Sequence, residues 1–175
     1  MATIQTFTAG QVLTAAQLNT LQDYVGVVQV KSATKTDTFT TSSTSYVDVT
    51  GLTVSITPTS ASNKVFVLVS TTGAGTNGTN IAYLQLVRDS TAIALGDAAG
   101  VRAVATSGFG ASSANNQYNS PMSFLDSPAT TSATTYKVQM RVHGGTGFLN
   151  RSQTDSDSTN YGRYSSTITV MEVTP

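Results

Sequence analysis

The chain has 175 residues, 39% of them hydrophobic, and its nine Lys and Arg are balanced by nine Asp and Glu. This is enough for one domain with a real core and too little for two domains of ordinary size. Charged residues are only 10%, against roughly 25% in an average soluble domain, which excludes the basic face of a nucleic-acid binder and leaves Ser and Thr hydroxyls to keep the surface wet.

Cysteine is absent, so disulfides and thiolate metal sites are excluded. No window reaches the ~20 apolar residues of a membrane span, and no membrane insertion is expected. The opening "MATIQTFTAG" has neither a basic cluster nor an apolar run, so no export signal is expected.

In chain order, the first element is a short helix over 14–25. Thr14 with Gln17 three residues on makes a capping-box pattern. Leu18, Leu21 and Val25 then fall on one helical face, and Gly26 is placed to stop the helix. A helix this short is marginal alone in water, so its stripe must be buried. Burying the three side chains is worth roughly 5–8 kcal/mol as an upper bound.

From Val27 the period changes to two. Strands are expected at 27–32, 37–41, 46–50 and 52–57, with turn residues between them. A Pro58-led connection follows. The segment 64–70, "KVFVLVS", is apolar on both sides at 65–69, so one face meets a core and the other calls for a second cover, such as a subunit interface. Further strands are expected at 80–88, 92–95, 101–106 and 121–126. Segment 134–143 has the cleanest alternation, with Tyr136, Val138, Met140 and Val142 inward. A last strand is expected at 165–173. About ten strands after one helix predict an all-β jelly-roll sandwich, divided into a segment 1–26 and a β-domain 27–175.

Catalytic and cofactor motifs find little support. The run Gly73-Ala74-Gly75-Thr76-Asn77-Gly78 matches G-x-G-x-x-G, but a dinucleotide site needs a helix next, and here a strand follows. Asp155 and Asp157 open a calcium-like loop that lacks the glycine and the closing glutamate. His143 is the sole histidine and falls on the wet face of its strand. No G-x-S-x-G elbow is present, and no spacing singles out two carboxylates among Asp97, Asp126, Asp155 and Asp157. No catalytic residue, cofactor or metal is therefore expected. Two long segments, 107–120 and 148–164, mix Gly, Ser, Asn and aromatics as binding loops do. Their candidate contact residues are Phe109, Asn115, Asn116, Tyr118, Asn160 and Tyr161.

Two phrases resemble a known class of proteins. "FTAGQVLTAAQLNTLQDYV" (7–25) resembles the opening F-x-x-G-x-V-L-T-A-A-x-L-N of tailed-bacteriophage virion-appendage proteins. "YVDVTGLTVSITPTSASNKVFVLVS" (46–70), with a closing strand like "STITVMEV", is similar to a recurring phage module and points to a jelly roll like the heads of complement and tumour-necrosis-factor proteins. The resemblance implies a virion protein, assembled in the host cytoplasm. Leu18, Leu21 and Val25 would serve as its anchor or oligomer contact to other virion proteins. It further implies a homotrimer whose outer loops meet a host-surface glycan or protein, in a fibre or at a tail tip. A capsid decoration or head-fibre protein is the alternative. A surface-polysaccharide depolymerase is a third, for which the length leaves little room.

Overall fold

The computed structural model describes residues 8–12, 14, 15, 17, 26–76, 80–110 and 114–175. Near its start, the Thr14 amide donates to Oε1 of Gln17 (2.9 Å) and the Gln17 amide to Oγ1 of Thr14 (3.2 Å). This is the reciprocal capping pair expected from the sequence, and Ala15 and Gln17 are helical. The anchor residues Leu18, Leu21 and Val25 lie outside the described residues.

The described strands are β1 (Val27–Lys35), β2 (Phe39–Thr41), β3 (Val47–Ile56), β4 (Lys64–Gly75), β5 (Ala82–Arg88), β6 (Thr91–Ile93), β7 (Ser107–Phe109), β8 (Tyr118–Asp126), β9 (Thr134–Val142), β10 (Gly147–Leu149) and β11 (Ser166–Val173). All pairings are antiparallel. In the first sheet β1, β11, β4 and β8 lie side by side, and the short β2 and β10 continue the lines of β1 and β11. In the second, β3, β9 and β5 are followed by β6 and β7, which share one edge of β5. Counting each broken line as one strand, two four-stranded layers result, in the order of a jelly roll. The expected all-β sandwich is therefore the fold of this chain.

The alternation in the sequence is the cause. Val65, Val67, Val69, Ile168 and Val170 point inward from the first sheet, and Leu84, Leu86, Val138, Met140 and Tyr136 meet them from the second. Two sheets, each with one apolar face, have no other way to remove that area from water.

Several boundaries differ from expectation. The segments 46–50 and 52–57 are one strand interrupted by a bulge, where the pairing with β9 jumps from Asp48↔Gln139 to Thr53↔Lys137. Gly51, at φ +88°, takes up the irregularity. Val49 and Leu52 consequently both point inward, three apart instead of two. Segment 101–106 is not a strand: β6 and β7 already occupy the free edge of β5, so 101–105 have no ladder to join. Between those two strands, Thr106 donates its amide to the Leu84 carbonyl (2.9 Å) and its hydroxyl to the Ile93 carbonyl (3.2 Å).

Two buried polar knots hold the sandwich, one between the layers and one that ties the β3–β4 connection to the first sheet. Asp126 at the end of β8 accepts from Arg88 of β5 (2.9 Å) and from the Tyr136 hydroxyl of β9 (2.6 Å). Burial first, and then this hydrogen bond to a carboxylate, push the Tyr136 phenol far up. The second knot is Glu172, whose carboxylate accepts from Gln29 Nε2 (2.6 Å), Asn63 Nδ2 (2.6 Å), and the amide (2.6 Å) and hydroxyl (2.7 Å) of Thr59. Burial alone would raise its pKa; the donors outweigh it and bring it down to about 2.

Candidate functional site

The chain enters β1 at Gly26, whose carbonyl accepts from the Thr174 amide (3.4 Å). The other end of β1, Lys35, pairs with Ser166, so the connection between β10 and β11 leaves the sandwich at the end opposite the entry. The same holds for the start of β8, since Tyr118 pairs with Gly73 at the far end of β4.

Asn150 builds the base of this end. It is fully buried, at φ +61°, a left-handed conformation that Asn tolerates better than most residues. Its Nδ2 donates to the carbonyls of Lys35 (3.0 Å) and Asp37 (2.9 Å), and its Oδ1 accepts from Ser166 Oγ (2.6 Å). Its amide bonds the Thr72 carbonyl (2.8 Å) and its carbonyl accepts from the Tyr164 amide (3.1 Å). Five groups from three stretches of chain thus converge on one side chain and its peptide units. Nearby, Lys35 lays its stem against Gly51 and reaches Asp37 (2.8 Å), which holds the exposed Asp37 carboxyl below its usual range.

Above this base the two long loops join. The Thr154 amide donates to the Ala114 carbonyl (2.9 Å), and the Tyr164 hydroxyl to Oε1 of Gln117 (3.0 Å). Arg151 stacks on Phe148 (5.0 Å), and it and Arg163 both bind Asp155 (3.1 and 2.7 Å). These two guanidiniums neutralise the carboxylate that a calcium loop would have needed. Among the described residues no group of three or more His, Cys, Asp or Glu gathers. Beside the ion pairs opens a bowl of about 310 Å³ lined by Asp155, Ser156, Asp157, Ser158, Tyr161 and Arg163. Hydroxyls, two carboxylates, a guanidinium and a phenol offer both donors and acceptors to a polyhydroxylated ligand.

Of the residues singled out in the sequence, Tyr161 lines this bowl and Asn160 is exposed beside it. Asn115 and Asn116 lie on the exposed turn of the partner loop. Two assignments need correction. Phe109 is completely buried and belongs to the core; its ring lies so close to Gly73 that a Cβ there would strike it and the Phe148 carbonyl. That contact, rather than any phosphate, accounts for the first glycine of the G-x-G-x-x-G run. Tyr118 is half-buried and packs against the core from the first position of β8, so it supports the loop more than it faces outward. The residues that sequence reasoning missed are Asn150, Arg151 and Arg163. Only the Arg151–Asp155 spacing of four carried a local signal, since Arg163 meets Asp155 through the fold of the loop.

The outer faces of the two sheets also carry recognition chemistry. On the first, Val30, Met171, Phe66 and Leu125 stand in register across four strands. Leu68 and Val27 flank them, and Val30, Leu68, Leu125 and Val27 are exposed. The second presents Arg141 between the rings of Tyr46 (5.3 Å) and Tyr83 (4.8 Å). Next to it runs a ladder in which Gln85 donates to Gln139 (2.6 Å), and Gln139 (2.6 Å) and Lys137 (2.8 Å) donate to Asp48.

The sequence matches no protein-family model, and no curated protein is significantly similar to it.

Proposed function

We propose that this is a bacteriophage structural protein, a trimeric fibre or tail-tip component that recognises the host surface and is not an enzyme. One observation carries the reading: the sandwich is polar end to end. The chain enters at Gly26, while the joined loops with Tyr161, Asn160, Asn115 and Asn116 crown the opposite end. In this reading the segment 1–26, through Leu18, Leu21 and Val25, attaches to other virion proteins. The apolar row Val30–Met171–Phe66–Leu125 supplies the second cover that strand 64–70 called for, as the contact between three subunits. The phrase at 7–25, which resembles phage appendage openings, supports the same assignment. A neutral chain has no long-range steering, which favours a neutral glycan as the host ligand over a polyanion.

The test is host adsorption by virions carrying Tyr161→Ala, together with immunolabelled imaging of the particle. Adsorption is expected to fall several-fold with an unchanged melting temperature, and the label to sit at a fibre or tail tip. Normal adsorption by a folded variant, or a label spread over the head, would favour the capsid decoration protein instead.

A further inference from the structure

A groove on the outer side of the second sheet shares no lining residue with the loop-end bowl. It lies between β5 and the connection from β6 to β7, and its volume is about 340 Å³, at the lower end of small-molecule sites. Ile81 and Tyr83 form one wall, Ala103 and Val104 the other, and Asp97 stands at the rim. Gly108 sits opposite Tyr83 in the ladder, and a Cβ there would press on the Ala82 carbonyl at 2.8 Å, so this position beside the ring stays bare.

The groove is preformed. Its outer wall is tied down by the Gly96 amide on the Ala105 carbonyl (3.2 Å) and by the Tyr46 hydroxyl on the Val104 carbonyl (2.9 Å). Thr106 fixes its end to β5 by accepting from the Leu86 amide (3.0 Å) and donating to the Leu84 carbonyl (2.9 Å). Tyr83 is itself held by Arg141 at 4.8 Å from its ring. A ligand entering here would find its contacts already in place, which lowers the ordering cost of binding.

We propose that this groove binds an uncharged saccharide. No Lys or Arg lines it, and the charged residue in its lining is Asp97, whose carboxylate repels an anion at close range. A small cation would answer to Asp97, but the guanidinium of Arg141 already sits against the Tyr83 ring and its charge opposes a second one. A sugar meets both requirements. Its C–H face packs on Tyr83 and Ile81, and two neighbouring hydroxyls donate to the Asp97 carboxylate in charge-assisted hydrogen bonds. That carboxylate makes no hydrogen bond or ion pair with a described residue, so it is available. The inference rests on the groove alone and stands whether or not the chain is a virion protein.

The experiment is an amide-resolved NMR titration of the full chain with glucose, galactose, N-acetylglucosamine and maltose. At least one sugar should give saturable shifts at Asp97, Ser107, Gly108 and Gly110. Asp97→Asn should weaken that binding about tenfold, as loss of a charge-assisted hydrogen bond does, without lowering the melting temperature. Tyr161→Ala should leave these shifts unchanged, which separates the groove from the loop-end bowl. No shift with any of the sugars, or binding that is indifferent to Asp97→Asn, would overturn the proposal. So would tighter binding of tetramethylammonium than of any sugar, which would make this a cation site.

Discussion

The two outer faces of the sandwich are built from the same kind of strand and have opposite chemistry. Across β1, β11, β4 and β8 the outward residues include Val30, Met171, Phe66 and Leu125 in a single row. Across β3, β9 and β5 the corresponding row is Asp48, Gln139 and Gln85, joined side chain to side chain. A sheet needs only one apolar face to make a sandwich, so the second apolar face is not explained by folding of a single chain. An apolar row on a surface otherwise wetted by hydroxyls is what the proposed subunit contact would cover. On the polar face the side chains of this row bond one another instead.

The sharpest way to break this contrast is to put a charge in the apolar row. In the proposed trimer, Phe66→Asp is expected to give a folded monomer in light scattering, because each proposed contact would lose an aromatic anchor worth about 2 kcal/mol or more. An unmodified chain that is already monomeric at micromolar concentration would show that the apolar face is not a subunit contact.

Within β11 the contrast is compressed into three residues: Met171 and Val173 face outward and the carboxylate of Glu172 faces inward. Glu172→Gln keeps the shape and removes the charge that its donors surround. The variant is expected to lose about 2–3 kcal/mol at neutral pH, the usual worth of hydrogen bonds to a buried charged group. The pH dependence has a definite sign. The folded pKa is depressed from 4.5 to about 2, so the unfolded chain binds more protons between those values and stability falls as the solution is acidified through them. Urea denaturation across this range should show a steeper acid limb for the natural chain than for the variant. Parallel limbs would mean that Glu172 is not the group responsible.

The smallest expected effect is on the polar face. Arg141→Met keeps the stem and removes the guanidinium from between Tyr46 and Tyr83. Burial raises the Tyr46 phenol, and Arg141 pulls it part of the way back, so its titration should move further up in the variant. Stability should fall by about 1 kcal/mol, the scale of a partly exposed cation–π pair, with no change in oligomeric state. A change in assembly from this substitution would mean that both faces are covered and would dissolve the contrast.

How much of this was legible beforehand depended on the range of the interactions. Strict alternation identified 134–143 as a strand with Tyr136, Val138, Met140 and Val142 inward, because a period of two is a property of one strand meeting one core. The doubly apolar run at 65–69 was equally plain, and so was the capping pair of Thr14 and Gln17. Where the signal was an average, it misled. Segment 101–106 has the apolar, Val-containing composition of a strand, but the edge of β5 that it needed was taken by β6 and β7. The break at Gly51 looked like a turn between two strands and is a bulge within one.

The sequence by itself determined the all-β class, the inward positions of most strands and the hydroxyl-rich, nearly uncharged surface, all of which follow from local periodicity and composition. Only the tertiary structure decided that Phe109 is a core residue, that Asn150 gathers three stretches of chain, and that loops forty residues apart share a hydrogen bond between Thr154 and Ala114. It alone also decided that Tyr46, Tyr83 and Arg141 form one stack and that Val30, Met171, Phe66 and Leu125 form one row. These are juxtapositions across strands. They depend on which strand lies beside which and in what register, and no single segment contains that information.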